Sequence, residues 1–167
     1  MQRRNDVASA RLLFQHLPDP IGAAKEIWRV LKPGGRLIIY DIDDDLFGLF
    51  DPPLPEFAPI LAAFGQAQAA RGGNRQIGQK LWQILNMAGF ESIDIEALAS
   101  HNANQDLANF LQHIDPERMQ PLVEQGRLSA AQLEDYRSAL ARYAATPNAY
   151  TIWLSLMICA EKPTTAS

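Results

Sequence analysis

The sequence predicts an α/β fold: a mostly parallel sheet of about four strands, with helices on both faces. Three observations carry that prediction. The run Leu31-Lys32-Pro33-Gly34-Gly35-Arg36-Leu37-Ile38-Ile39-Tyr40-Asp41 reads as a helix end, a sharp turn and a short apolar strand closing on a carboxylate. Segments with apolar residues at helical spacing alternate with short apolar runs, the order expected of helices laid between strands. The strand Arg36–Asp41 is almost wholly apolar, as a parallel strand buried under helices should be.

The elements follow in order. Val7-Ala8-Ser9-Ala10 is a short first strand whose small residues suit a buried sheet position. Asp19-Pro20 opens a helix, since Asp can accept from the free N–H groups and Pro fits the first turn. Ile21, Ala24, Ile27, Trp28 and Leu31 are its apolar stripe. Lys32-Pro33 stops it, because Pro cannot continue the hydrogen-bond ladder. Gly34-Gly35 permits the reversal into the strand Arg36–Asp41. Residues 41–55 form a loop rich in aspartate and then proline.

Glu56–Ala70 is Ala-rich and helical, and Arg71-Gly72-Gly73-Asn74 breaks it. Gln76–Met87 is a helix with Ile77, Leu81, Ile84 and Leu85 on one face, ended by Gly89 as a left-handed cap. Phe90–Leu98 is a strand nearer the sheet edge. Two short helices fill 102–127, the second opened by Asp115-Pro116. Ser129 and Gln132 make a capping box for a helix to about Ala145, with Leu133, Tyr136, Leu140 and Tyr143 inward. Ala149–Ala160 is the last strand, rich in β-branched, aromatic and large apolar residues. The polar tail from Lys162 to Ser167 is expected to fray. Trp28, Trp82 and Trp153 are read as core, and Cys159 as inert packing in the last strand.

Composition narrows the function classes. A chain of 167 residues points to one domain, 1–163 with a tail at 164–167, able to bury roughly 70% of its unfolded surface. A formal charge of -4 argues against a general nucleic-acid binder, which needs a basic face. A single cysteine rules out an intrachain disulfide and a cysteine-based zinc site, and His16, His101 and His113 show no paired metal spacing, so no metal is expected. No apolar run approaches the roughly 20 residues that span a bilayer, and none of signal-peptide type follows the polar start; no membrane partner and a cytoplasmic location are expected.

Arg11-Leu12-Leu13-Phe14-Gln15-His16-Leu17-Pro18-Asp19-Pro20, then a helix, then Leu31-Lys32-Pro33-Gly34-Gly35, with Ala88-Gly89-Phe90 later, resembles the second half of a class I S-adenosylmethionine-dependent methyltransferase. The resemblance implies the C-terminal portion of a Rossmann-like sheet, entered at the family's fourth strand with Val7–Ala10. Arg36–Asp41 would be strand five, the segment from Phe90 strand six, and Ala149–Ala160 the antiparallel strand seven, in the order 4-5-7-6. Residues 1–99 would hold the sheet and its helices, 100–147 a helical insertion, and 148–161 the last strand. The family's Gly-rich cofactor loop has no counterpart: none of the ten glycines forms a Gly-x-Gly pair. The three absent strand-helix units correspond to about a hundred residues, at roughly 30 each. The same absence counts against a nicotinamide-dependent enzyme.

By the same resemblance, S-adenosylmethionine is the cofactor. Ala10, Arg11 and Leu12, just past strand four, would line its methionine end. Arg11 is equally well a solvent-exposed arginine at a strand end. On the substrate side stand Phe14, His16, Asp41 and Asp43. His16 could orient substrate or act as a base, or simply pack the turn before Pro18. The aspartates Asp41, Asp43, Asp44 and Asp45 lie where α/β sheets place ligands, and could hold a cationic amine or a divalent ion, or form a solvated acidic loop. Methyl transfer from a sulfonium is an in-line displacement that depends mainly on positioning, so no catalytic constellation is required. A small-molecule methyl acceptor is implied. An unpaired first strand would favour a homodimer joined near residues 6–16. The alternative is a non-catalytic α/β remnant sustained by association.

Overall fold

The computed structural model describes residues 5–103 and 106–164. Among the described residues, five strands and six α-helices occur in the order β1 (Asn5–Arg11), α1 (Pro20–Val30), β2 (Leu31–Ile42), β3 (Leu49–Asp51), α2 (Ala58–Ala69), α3 (Gly78–Met87), β4 (Glu91–His101), α4 (Leu107–Leu111), α5 (Gln120–Glu124), α6 (Ala130–Ala145) and β5 (Tyr150–Glu161).

Local chemistry sets the helix ends. The Asp19 carboxylate accepts from the Gly22 N–H at 2.8 Å and starts α1 ahead of Pro20. At its far end Lys162 Nζ donates to the Trp28 and Leu31 carbonyls at 2.8 and 2.9 Å and lies 3.8 Å from the Trp28 ring centroid. A cation on the last carbonyls of a helix opposes the negative end of its dipole. Lys162 also exchanges backbone hydrogen bonds with Gly34 and Gly35. The expectation of a tail frayed from Lys162 is therefore corrected: that residue is buried, and residues 165–167 lie outside the described part. Gly89 adopts φ +88° after α3, and Ser129 with Gln132 closes the capping box that starts α6.

The sheet has the expected order. β1 pairs parallel with β2 (Ala10 opposite Ile39), β2 antiparallel with β5 (Ile39 opposite Ile158), and β5 antiparallel with β4 (Ile158 opposite Ile95). The path β1-β2-β5-β4 thus wedges one antiparallel strand between parallel neighbours, matching 4-5-7-6. A fifth strand was not expected. β3 pairs antiparallel with β5 through Leu49 and Ile152, beyond the end of β2. Three residues inside a proline-rich loop are too few to show a strand period.

Two apolar cores flank this sheet. The first lies under one face, where Ala10, Leu37, Ile39, Ile158 and Ala160 meet Ala24 of α1 and Leu81, Ile84 and Leu85 of α3. The second gathers α2, α5 and α6 around Phe57, Ile60, Met119, Leu122, Tyr136 and Tyr143, with Phe47, Phe50 and Trp153 against it. The sheet's other face is only partly covered: α4 reaches β5, while Ile38 and Val7 remain 36% and 56% exposed. Helical cover of both faces holds fully for one. Of the tryptophans, Trp28 and Trp153 are half-buried, whereas Trp82 is 55% exposed and is corrected from core to surface. Among the described residues no strand pairs with the free edge of β1, and no helix is long and apolar enough to cross a membrane.

Candidate functional site

The candidate site lies past the carboxyl ends of β1 and β2. Ala10 is buried beneath it as core. Arg11 is exposed, its guanidinium 5.7 Å from the centroid of the Tyr40 ring on the neighbouring strand. Leu12 donates from its N–H to the Tyr40 carbonyl at 2.8 Å and then turns with φ +50°. That left-handed turn costs a non-glycine residue about 1 kcal/mol. It ends the strand sharply and leaves Leu12 and Leu13 37% and 44% exposed.

The substrate-side expectations fare differently. Phe14 is fully buried in the first core, so its ring offers no surface to a ligand. His16 is exposed, with its Nδ1 2.5 Å from Gln68 Nε2 on α2; the same amide donates to the Gln15 carbonyl at 2.9 Å. These contacts pin the turn after β1 to α2.

Asp41 is fully buried and accepts from the Ile42 and Gln15 amides at 3.0 and 3.3 Å. Burial pushes its carboxyl up from the ordinary value, against those amide hydrogen bonds and the nearby His16. Asp43 is also fully buried. It accepts from Gln79 N at 2.9 Å, Gln79 Nε2 at 3.0 Å and Asp45 N at 3.1 Å, capping α3 from another part of the chain. Helix α3 has no side-chain cap from its own preceding residue, and Gly78 makes room for this one, since a Cβ there would lie 3.0 Å from Asp43 Cβ.

Asp44 takes a two-pronged ion pair from Arg75 at 2.6 and 2.8 Å. Burial raises its pKa and Arg75 opposes the rise. Asp45 alone is exposed, with its pKa lowered by hydrogen bonds from Gln76 and Gln79. The solvated acidic loop is thereby corrected: most of these carboxylates hold the loop onto residues 75–79. Asp41 and Asp43 are structural acceptors rather than groups turned to a substrate.

A cleft that sequence reasoning missed lies on the partly covered sheet face. It measures about 310 Å³ and is lined by Arg11 of β1, Ser100 of β4, Asn109 and Phe110 of α4, His113 and Trp153 of β5. Phe110 and His113 stand edge-on to the Trp153 indole, with centroids 5.0 and 5.6 Å away. Only Arg11 was legible beforehand, because the other walls come from segments about ninety to a hundred and forty positions along the chain. A second cavity of about 400 Å³ lies between α2 and residues 73–76, but its cation, Arg75, is committed to Asp44 and to the face of Phe64.

A family model described as a methyltransferase domain matches residues 3–39, from the start of β1 into β2. A protein from Bacillus halodurans described as a methyltransferase superposes with a TM-score of 0.50 at 15% identity, over 98% of this chain and 72% of its own length. The chain has the fold of a methyltransferase domain, and its β1–β2 segment matches the family model of one. Phosphoethanolamine N-methyltransferase 2 of Haemonchus contortus, solved with phosphomonomethylethanolamine and S-adenosylhomocysteine, gives a TM-score of 0.44 at 20% identity, over 95% of this chain and 33% of that one. YcgJ of Bacillus subtilis gives 0.47 at 12% identity, over 97% and 65%. The chain thus spans a third of the Haemonchus methyltransferase and about two thirds of YcgJ. No curated protein matches by sequence.

Proposed function

We propose that this chain supplies the acceptor side of an S-adenosylmethionine-dependent methyl-transfer site, with a small molecule as methyl acceptor. The observation that carries the reading is the β1-β2-β5-β4 sheet, with its antiparallel β5 and the sharp left-handed turn at Leu12 just past β1. In an α/β sheet of this kind, ligands sit outside the carboxyl ends of the strands. The cofactor, when bound, supplies an electrophilic methyl group. The chain's own contribution is position: the Ala10–Leu12 backbone forms one wall, and the Trp153–Phe110 pair gives the cleft beside Arg11 a rigid aromatic side.

These residues fit one wall of a cofactor site and no more. The sequence contains no Gly-x-Gly pair to let backbone N–H groups approach the cofactor closely. The remaining walls must be built against the unpaired edge of β1. A calorimetric titration with S-adenosylhomocysteine tests the reading. Saturable micromolar binding supports it. The absence of heat favours the second reading, a non-catalytic α/β domain sustained by association.

The exposed Val7 on an unpaired edge strand favours association in either case. A homodimer joined near residues 6–16 is expected to appear as twice the chain mass in light scattering and to dissociate in Val7→Lys. A monomer at every concentration rules it out.

A further inference from the structure

We propose that the cleft between Arg11 and Trp153 binds a planar aromatic anion of a single ring, such as an aromatic carboxylate. In a catalytic setting this names the acceptor class for the function proposed above, and to that extent rests on it; the binding itself needs no methyl transfer.

The size comes first. About 310 Å³ is at the small end of ligand sites and suits one substituted ring. The wall comes next. The Trp153 indole is held at 4.8 Å from Phe47 and 5.0 Å from Phe110, with His113 at 5.6 Å, so its orientation is fixed before any ligand arrives. A rigid aromatic wall favours a flat partner by stacked or edge-on contact.

The polar groups then choose the charge. Arg11, Ser100, Asn109 and His113 rim the cleft, and no carboxylate does. Among the described residues Arg11 pairs with no carboxylate; its one contact is the Tyr40 ring. A guanidinium lying over an aromatic face keeps its N–H fork available at the edge, the geometry that accepts a carboxylate with two parallel hydrogen bonds. The Asn109 and Ser100 side chains likewise have no hydrogen-bond partner among the described residues, leaving donors beside the cation.

The test reads the indole N–H signals of isotope-labelled protein by NMR. The three tryptophans differ in kind: Trp28 Nε1 donates to the Gly89 carbonyl, Trp82 is exposed, and Trp153 Nε1 is buried without a partner among the described residues. Trp153→Phe assigns the third signal. The probes are para-hydroxybenzoate and its neutral amide, para-hydroxybenzamide.

The acid is expected to shift the Trp153 signal saturably. The amide, and the acid with Arg11→Gln protein, should bind roughly ten- to a hundredfold more weakly, the range for losing a charged hydrogen bond. Arg11→Lys should fall between. An unmoved Trp153 signal, equal affinity for acid and amide, or an Arg11→Gln variant that binds the acid as well as wild type overturns the proposal. Arg11 is exposed, so an unchanged urea midpoint in the variants confirms that folding is intact. S-adenosylhomocysteine titrated in parallel keeps the two readings apart. Probe binding without cofactor binding defeats only the methyl-transfer reading, and cofactor binding without probe binding defeats only this one.

Discussion

Removing the Asp43 side chain should destabilise this protein markedly. Its carboxylate is fully buried and receives three hydrogen bonds, two of them from Gln79 in the first turn of α3. Asp43→Ala strips the helix of its cap, which costs about 1 kcal/mol. It also removes a charged acceptor from the Gln79 side chain and the Asp45 N–H, worth about 2 kcal/mol more once relief of carboxylate burial is allowed for. Asp45 Oδ2 still accepts from Gln79 Nε2 at 2.7 Å, which limits the loss. The expected total is about 3 kcal/mol, and with a urea dependence of about 2 kcal/mol per molar the midpoint should fall by about 1.5 M. Circular dichroism through a urea titration measures it. Asp45→Ala, one turn of loop away but exposed, is the control and should move the midpoint far less. A shift below about 0.5 M in Asp43→Ala refutes the capping argument and returns Asp43 to the candidate ligands.

Two further outcomes follow from buried charges. The pKa of Asp41 is raised in the folded state, so its contribution to stability is fully present below the unfolded value of about 3.9 and is lost as pH rises through the folded value. Asp41→Asn, which keeps a carbonyl acceptor, should therefore gain on wild type between acid and neutral pH; urea midpoints across that range that run parallel contradict it. Lys162→Met should lose about 2–4 kcal/mol, because two charged hydrogen bonds to the Trp28 and Leu31 carbonyls and a cation–π contact disappear together. Thermal or urea unfolding of the variant checks this, and an unchanged midpoint contradicts it.

The sequence by itself determined what neighbours along the chain decide. Asp19-Pro20 started α1, Gly89 capped α3, and Ser129 with Gln132 opened α6, because each is a hydrogen bond or a φ value settled within a few residues. The strand order was also legible through the family resemblance of the β1–β2 segment and the segment around Gly89. The tertiary structure alone decided which polar groups are spent and which remain. A run of aspartates looks solvated in sequence, yet Asp43 lies under α3 because Gln79, far along the chain, supplies its donors. The cleft is of the same kind. Arg11 was visible as a strand-end arginine, but its meeting with His113 and Trp153 depends on where β5 and the turn after α4 come to rest. Side chains so far apart in sequence are brought together by burial of the apolar faces, and no local pattern records which of them will share a wall.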